Sequence, residues 1–141
     1  AAEKQEVDLS VLRGTHLLLA EDNALNMEIA EFLLNEVGAG VTKAANGQQA
    51  VDAFAASPVG YFDAILMDVM MPVLDGHDAT RAIRAMDRPD AKTVPILAMT
   101  ANAFAEDRQK ALEVGMTEHL AKPLEPETLY RLLAQVCAKR S

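Results

Sequence analysis

At 141 residues the chain is long enough for one domain with a full core and short for two. A net charge of −8 and a pI near 4.8 exclude the basic face that nucleic acid or an anionic membrane would need. With no Trp, four Phe and two Tyr there is no stacking platform for single strands, one cysteine (Cys137) cannot close an internal disulfide, and no apolar run approaches the ~18 residues of a membrane span. These features lead us to expect a cytoplasmic protein with a basic or metal-bearing partner.

Ala1 to Gly14 mixes charged and small residues without periodicity. It reads as a linker or arm (1–14) with a short turn at Asp8 to Leu12, ahead of a domain expected over 15–138 and a tail at 139–141. His16 to Ala20 is a short apolar run of the kind buried on both faces in a parallel sheet, and it ends on Glu21 and Asp22. Asn23 is placed to cap a helix whose Ile29, Ala30, Leu33, Leu34 and Val37 share one stripe, which Gly38 and Gly40 end. That phase leaves Ala24, Met27 and Glu31 on the opposite side. A second strand is predicted over Val41 to Ala45 and a helix over Gly47 to Ser57, stopped by Pro58.

Ala64 to Met67 is the most apolar run, and it stops on Asp68, with Pro72 close behind. Asp75-Gly76 turns into a helix with Ala79, Ile83 and Met86 on one face, and Asp87 to Asp90 reads as a polar loop. Pro95 to Met99 forms the fourth strand, ending on Thr100; a helix follows over Ala105 to Val114. Thr117 to Ala121 is the fifth strand, ending on Lys122-Pro123. Pro126 opens the last helix, which turns Leu129, Leu132, Leu133 and Val136 inward and carries Cys137 in its apolar stripe.

Five strands alternating with five helices describe an α/β protein with a doubly wound parallel sheet. Right-handed crossovers bring every strand's carboxyl end to one edge, where ligands bind in open α/β sheets. Glu21, Asp22, Asp68, Thr100 and Lys122 each follow a strand, so all five meet there. Taken singly, each acid has a plainer reading as a helix cap; capping does not account for Lys122 or for paired acids. Converging carboxylates repel unless a cation joins them, and an all-oxygen donor set implies a hard ion, Mg²⁺ before Ca²⁺. Lys122 and Thr100 suit phosphate oxygens, and the backbone of Ala101 and Asn102 precedes a helix, a natural place for an anion. The chemistry assembled is phosphoryl transfer to Asp68 as a carboxylate nucleophile.

Leu19-Ala20-Glu21-Asp22-Asn23, Met67-Asp68-Val69-Met70-Met71-Pro72-Val73-Leu74-Asp75-Gly76, Met99-Thr100-Ala101-Asn102-Ala103 and Leu120-Ala121-Lys122-Pro123 together resemble the receiver domain of two-component response regulators. The resemblance covers about 15–138 and is nearest to receivers of hybrid sensor histidine kinases. It implies a flavodoxin-like sheet of order 2-1-3-4-5, a phosphoryl group accepted by Asp68 from the phosphohistidine of a histidine kinase or HPt domain, and a domain that catalyses its own phosphorylation and dephosphorylation. It further implies Mg²⁺ (with Mn²⁺ as a substitute) held by Asp22, Asp68, the Met70 carbonyl and, through water, Glu21. Lys122 would pair with the phosphoryl oxygens, and Thr100 would move to them and switch the surface of helix four, strand five and helix five. Met70 and Asn102 would tune phosphate lifetime, and Lys122-Pro123 would be cis.

His119 departs from the Tyr or Phe common at the second switch position; an inward-turning ring and a half-exposed strand-end histidine both remain open. Ala24 and Met27, beside the acidic edge, are the expected partner surface, with Met27 as an exposed anchor. The isolated domain is expected to be a monomer that touches neither nucleic acid nor membrane. A nucleotide-binding module would need a Gly-rich loop where Glu21-Asp22-Asn23 stands. An aspartyl-phosphate hydrolase would want an acid where Met70 stands. The remaining alternative is a pseudo-receiver that binds partners without being phosphorylated.

Overall fold

A computed structural model describes residues 9–101 and 105–140. The strands are β1 (His16–Ala20), β2 (Gly40–Ala44), β3 (Ala64–Asp68), β4 (Ile96–Thr100) and β5 (Glu118–Ala121). They alternate with helices α1 (Ala24–Glu36), α2 (Gly47–Ala56), α3 (Gly76–Arg84), α4 (Ala105–Val114) and α5 (Pro126–Arg140). All neighbours pair in parallel, in the order β2-β1-β3-β4-β5. The expected sheet order is the observed one.

Alternation along each strand splits the interior in two. Leu18, Ile65, Met67 and Ile96 face α2, α3 and α4, where Phe54, Ile83 and Ala111 meet them. Leu17, Leu19, Leu66 and Leu97 face α1 and α5 and pack on Leu34, Leu129 and Leu133. Every residue of β3 and β4 is buried, which is why these strands read as unbroken apolar runs. Each fully buried Leu or Ile contributes about 1.5–3 kcal/mol relative to an exposed one. Leu9–Leu12 forms a 3-10 turn whose Leu12 is fully buried among Leu129 and Leu133 of α5. The first eight residues lie outside the described ones, and so does the Asp8 end of the expected turn. Among the described residues no helix is long and apolar enough to cross a membrane.

Helix starts follow local chemistry. The carboxamide oxygens of Asn23 and Asn46 and a carboxylate oxygen of Asp75 accept N–H bonds from Asn26, Gln49 and Asp78 at 2.9, 2.8 and 2.9 Å. Gly38, at φ +84°, takes the left-handed turn after α1.

Three expectations need correction. Strand boundaries shift by one residue: β2 starts at Gly40, β4 runs through Thr100, and β5 starts at Glu118. The face of α1 is also rotated. Ala30 and Leu34 are buried and Met27, Leu33 and Val37 pack partly beneath them, but Ile29 is 47% exposed, in line with exposed Leu25 and Phe32. The helix is apolar on two sides, so spacing alone does not fix which side faces the sheet.

Finally, Asp87 to Asp90 is not a solvated loop. Asp90 is buried, and Arg88 grips it through Nε–Oδ1 at 2.7 Å and Nη2–Oδ2 at 2.9 Å. Arg88 also donates to the carbonyls of Phe54 (2.8 Å) and Pro58 (3.0 Å) and lies 4.4 Å over the Phe54 ring, clamping the end of α2.

Candidate active site at the carboxyl edge of the sheet

Because all strands are parallel, their carboxyl ends form one rim, and the register sets who stands on it. Ala20 pairs with Met67, and Asp68 with Met99. Asp68 thus ends β3 one step beyond the end of β1, beside Glu21. Both acids are only 3% exposed, while Asp22 is exposed. One oxygen from each of Glu21, Asp22 and Asp68 lies within 4.8 Å of the others.

Lys122 reaches in from the end of β5. Its Nζ lies 2.9 Å from Asp68 Oδ2 and 3.0 Å from Glu21 Oε1, so one ammonium bridges two buried carboxylates. Backbone amides complete the shell: Met70 N–H donates to Asp68 Oδ1 at 3.2 Å, and Asn23 N–H to Glu21 Oε2 at 3.1 Å. Asn23, read from sequence only as a cap, therefore also holds Glu21. Thr100 closes β4 and is buried; its carbonyl accepts the Lys122 N–H at 2.8 Å, which ties these two rim positions together. The Lys122–Pro123 peptide is cis.

Burial raises the Asp68 carboxyl above its usual range; the hydrogen bond from Lys122 opposes that shift, and the Glu21 carboxylate adds to it. For Lys122, burial pulls the ammonium down, but hydrogen bonds and attraction from Asp68 and Glu21 outweigh it, and the net shift is upward. Lys122 therefore stays charged, and three carboxylates with one ammonium leave an excess of negative charge. The donors are all oxygens, two of the acids are immobilised by N–H bonds, and the third is open to solvent. That set fits a hard divalent cation that keeps several waters, the habit of Mg²⁺.

The remaining sequence-predicted residues fall elsewhere. Met70 exposes its side chain (75%) and meets the site through its backbone. His119 is half-buried in β5 opposite Ala98; with Arg108, Leu112 and Thr117 it lines a cavity of about 150 Å³ against α4. Asn102 lies outside the described residues. Ala24 is exposed, but Met27 is half-buried against the core under α1 and is not the free anchor expected. The exposed apolar side chains of α1 are Leu25, Ile29 and Phe32. Ile29 also borders an apolar recess of about 60 Å³ shared with Lys122, Pro123 and Leu124.

One contact escaped the sequence reading altogether. A Cβ on Gly76 would stand 2.3 Å from the Asp68 carbonyl oxygen. The start of α3 thus rests directly on the backbone of Asp68, and only a glycine fits there. Asp75-Gly76 signals a turn, but not this approach.

Residues 17–134 match the family described as the response regulator receiver domain. The chain is a receiver domain. This receiver is similar in sequence to hybrid signal transduction histidine kinase I of Dictyostelium discoideum, at 37% identity over 94% of the chain and 8% of that protein. It spans between 8% and 13% of the lengths of the first curated relatives it matches. Among solved structures it is similar to the receiver domain of sensor histidine kinase PA1611 from Pseudomonas aeruginosa, which has a magnesium ion coordinated in its active site cleft. That match has a TM-score of 0.80 and 43% identity, over 89% of this chain and 98% of the other. It is also similar to the receiver domain of Ssk1 from Saccharomyces cerevisiae, solved in a co-crystal with the histidine phosphotransfer protein Ypd1. There the TM-score is 0.80 and the identity 27%, over 91% of this chain and 92% of that one.

Proposed function

We propose that this receiver takes a phosphoryl group onto Asp68 from the phosphohistidine of a histidine kinase or HPt domain. An Asp68 carboxylate oxygen forms a bond to phosphorus as the N–P bond of the ring-protonated phosphohistidine breaks. The leaving nitrogen keeps the bonding pair and the other nitrogen keeps its proton, so the products are an aspartyl phosphate and a neutral imidazole. The observation that carries the reading is Lys122, held 2.9 Å from Asp68 and 3.0 Å from Glu21. It opposes the pull of burial toward the neutral acid, favouring the carboxylate as nucleophile, and supplies a charge for the incoming phosphoryl oxygens.

The residues suited to hold Mg²⁺ are Asp22 and Asp68 directly, the Met70 carbonyl, and Glu21 through water. Such an ion supplies charge neutralisation between attacking and transferred oxygens. Thr100, on the neighbouring strand end, is assigned to the phosphoryl oxygens after transfer; its displacement would be read by α4, β5 and α5, with His119 on that face. Met70 and Asn102 are assigned to the lifetime of the phosphoryl group.

The domain is taken as 15–138, working as a monomer on the cytoplasmic side as part of a hybrid kinase, with the stretch before it as a connecting arm. For the donor we assign the Leu25, Ile29 and Phe32 stripe and the adjoining recess in place of Ala24 and Met27, because exposed apolar area beside the rim is what a helical partner can bury.

Incubation with acetyl phosphate and Mg²⁺ followed by intact mass spectrometry tests the assignment. The wild type should gain one phosphoryl group, and neither Asp68→Asn nor metal-free wild type should. A gain that survives Asp68→Asn means the acceptor is wrong; no gain in the wild type favours a module that only binds partners.

A further inference from the structure

Gly47 opens α2, away from the acidic rim in sequence, and nothing in a helix start demands a glycine there. Asn46 already supplies the cap. Nor is conformational freedom the reason, since Gly47 is not among the glycines at positive φ, which are Gly14, Gly38, Gly60 and Gly115. What the position requires is space. A Cβ on Gly47 would lie 2.1 Å from the Leu74 carbonyl oxygen, 2.8 Å from its carbon and 3.1 Å from the Asp75 carbonyl oxygen, all backbone atoms that cannot swing aside. Across the same contact the Gly47 N–H donates to the Leu74 carbonyl at 3.0 Å.

Leu74 belongs to the loop between β3 and α3, and that loop is what the contact controls. It leaves Asp68 with Val69 N–H bonded to the Met99 carbonyl at 3.0 Å and Met70 N–H bonded to Asp68 Oδ1 at 3.2 Å. It returns at Gly76, whose N–H bonds the Val69 carbonyl at 2.9 Å and whose bare Cα rests on the Asp68 carbonyl. Between these ends sits Val73 at φ +70°, a conformation that β-branched residues avoid, followed by a tight Leu74 N–H to Pro72 carbonyl bond of 2.7 Å. A strained turn relaxes unless its surroundings hold it, and Gly47 grips it at Leu74, immediately after the strained residue.

We infer that Gly47 is a positioning residue for the acidic site. Its missing side chain and its N–H lock Leu74, and through the loop they hold the Met70 backbone against Asp68. The inference rests on the reading that this rim binds a divalent cation, because the Met70 backbone is part of that proposed shell. By linkage the effect is reciprocal: if the Gly47–Leu74 contact favours the metal-binding geometry, bound metal tightens the contact by the same factor.

Calorimetric titration with Mg²⁺ alone compares wild type, Gly47→Ala and Gly60→Ala, each below its melting temperature. Gly60 is the control because it sits at φ +81° with no atom within 4 Å of its would-be Cβ, so alanine there adds backbone strain without touching the loop. Gly47→Ala should weaken Mg²⁺ binding about tenfold, the effect typical of groups that orient metal ligands from behind, while Gly60→Ala leaves it unchanged. Equal affinity in wild type and Gly47→Ala, or equal loss in both variants, overturns the inference. Amide hydrogen exchange in the wild type decides the matter without any variant. Mg²⁺ should slow exchange at Gly47 more than at Gly40, whose N–H bonds the Thr15 carbonyl at the opposite end of the sheet; equal slowing overturns it. A wild type that binds no Mg²⁺ refutes the reading of the rim itself, and the inference with it.

Discussion

Replacing Val73 by glycine is expected to stabilise the domain, although it removes a side chain beside the active site. Val73 holds φ at +70° and is 78% exposed, so truncation sacrifices almost no buried area. For an L-residue the left-handed region costs about 1–2 kcal/mol. Glycine removes that cost but gives the unfolded chain freedom that costs about 0.5–1 kcal/mol on folding. The difference is a stabilisation of about 0.5–1 kcal/mol, or roughly 2–4 °C in midpoint for a chain of this size. Val73→Ala keeps a Cβ and with it most of the strain, so it should move stability by only a few tenths of a kcal/mol. With no tryptophan to report, urea unfolding is best followed by far-ultraviolet circular dichroism, comparing midpoints at equal m. If Val73→Gly proves no more stable than Val73→Ala, the turn holds no strain and the account of the loop is wrong.

Two further outcomes concern Asp90 and the exposed stripe of α1. The hydrogen bonds from Arg88 hold the Asp90 carboxyl below its usual range. Its stabilising contribution is therefore complete above the unfolded carboxylate's value near ~3.9 and is lost as pH falls through the lower folded value. Urea melts across that acid window should show the gap between wild type and Asp90→Asn shrinking as pH falls, and a constant gap would refute the pairing. On α1, Ile29→Ser and Phe32→Ser remove exposed apolar groups and should change stability by no more than about 0.5 kcal/mol. They should slow phosphorylation by a phosphorylated HPt protein while leaving acetyl phosphate labelling intact; equal slowing of both would count against the stripe as a docking face.

The strands were legible because burial on both faces leaves no room for alternation: Ala64 to Met67 and Ile96 to Met99 carry no polar residue at all. The rim residues were legible for a related reason, since a polar group ending such a run must lie at a sheet edge. Asn23 and Pro126 marked helix starts by chemistry that acts within one turn. What stayed hidden depends on distant backbone. The phase of α1 was ambiguous because Leu25, Ile29 and Phe32 make as good a stripe as Ala30, Leu34 and Val37, and only the docked sheet chooses between them. Arg88 and Asp90, two residues apart around a proline, look like a solvated loop until the end of α2 closes over them. Gly47 and Gly76 look like ordinary turn formers, because the carbonyls that forbid a side chain come from Leu74 and Asp68, remote in sequence from the one and eight residues before the other.

The buried Leu12 has a mechanical consequence. It seats the first described turn against Leu129, Leu133 and Val136, so the stretch entering β1 and the helix leaving β5 share one wall of the molecule. Any module joined ahead of that turn and any module joined past α5 would pull on the same half of the interior, leaving the half under α2, α3 and α4 unloaded. Only three residues separate Lys122 from α5, so the cation that bridges the two buried acids stands at the foot of the helix that forms this shared wall.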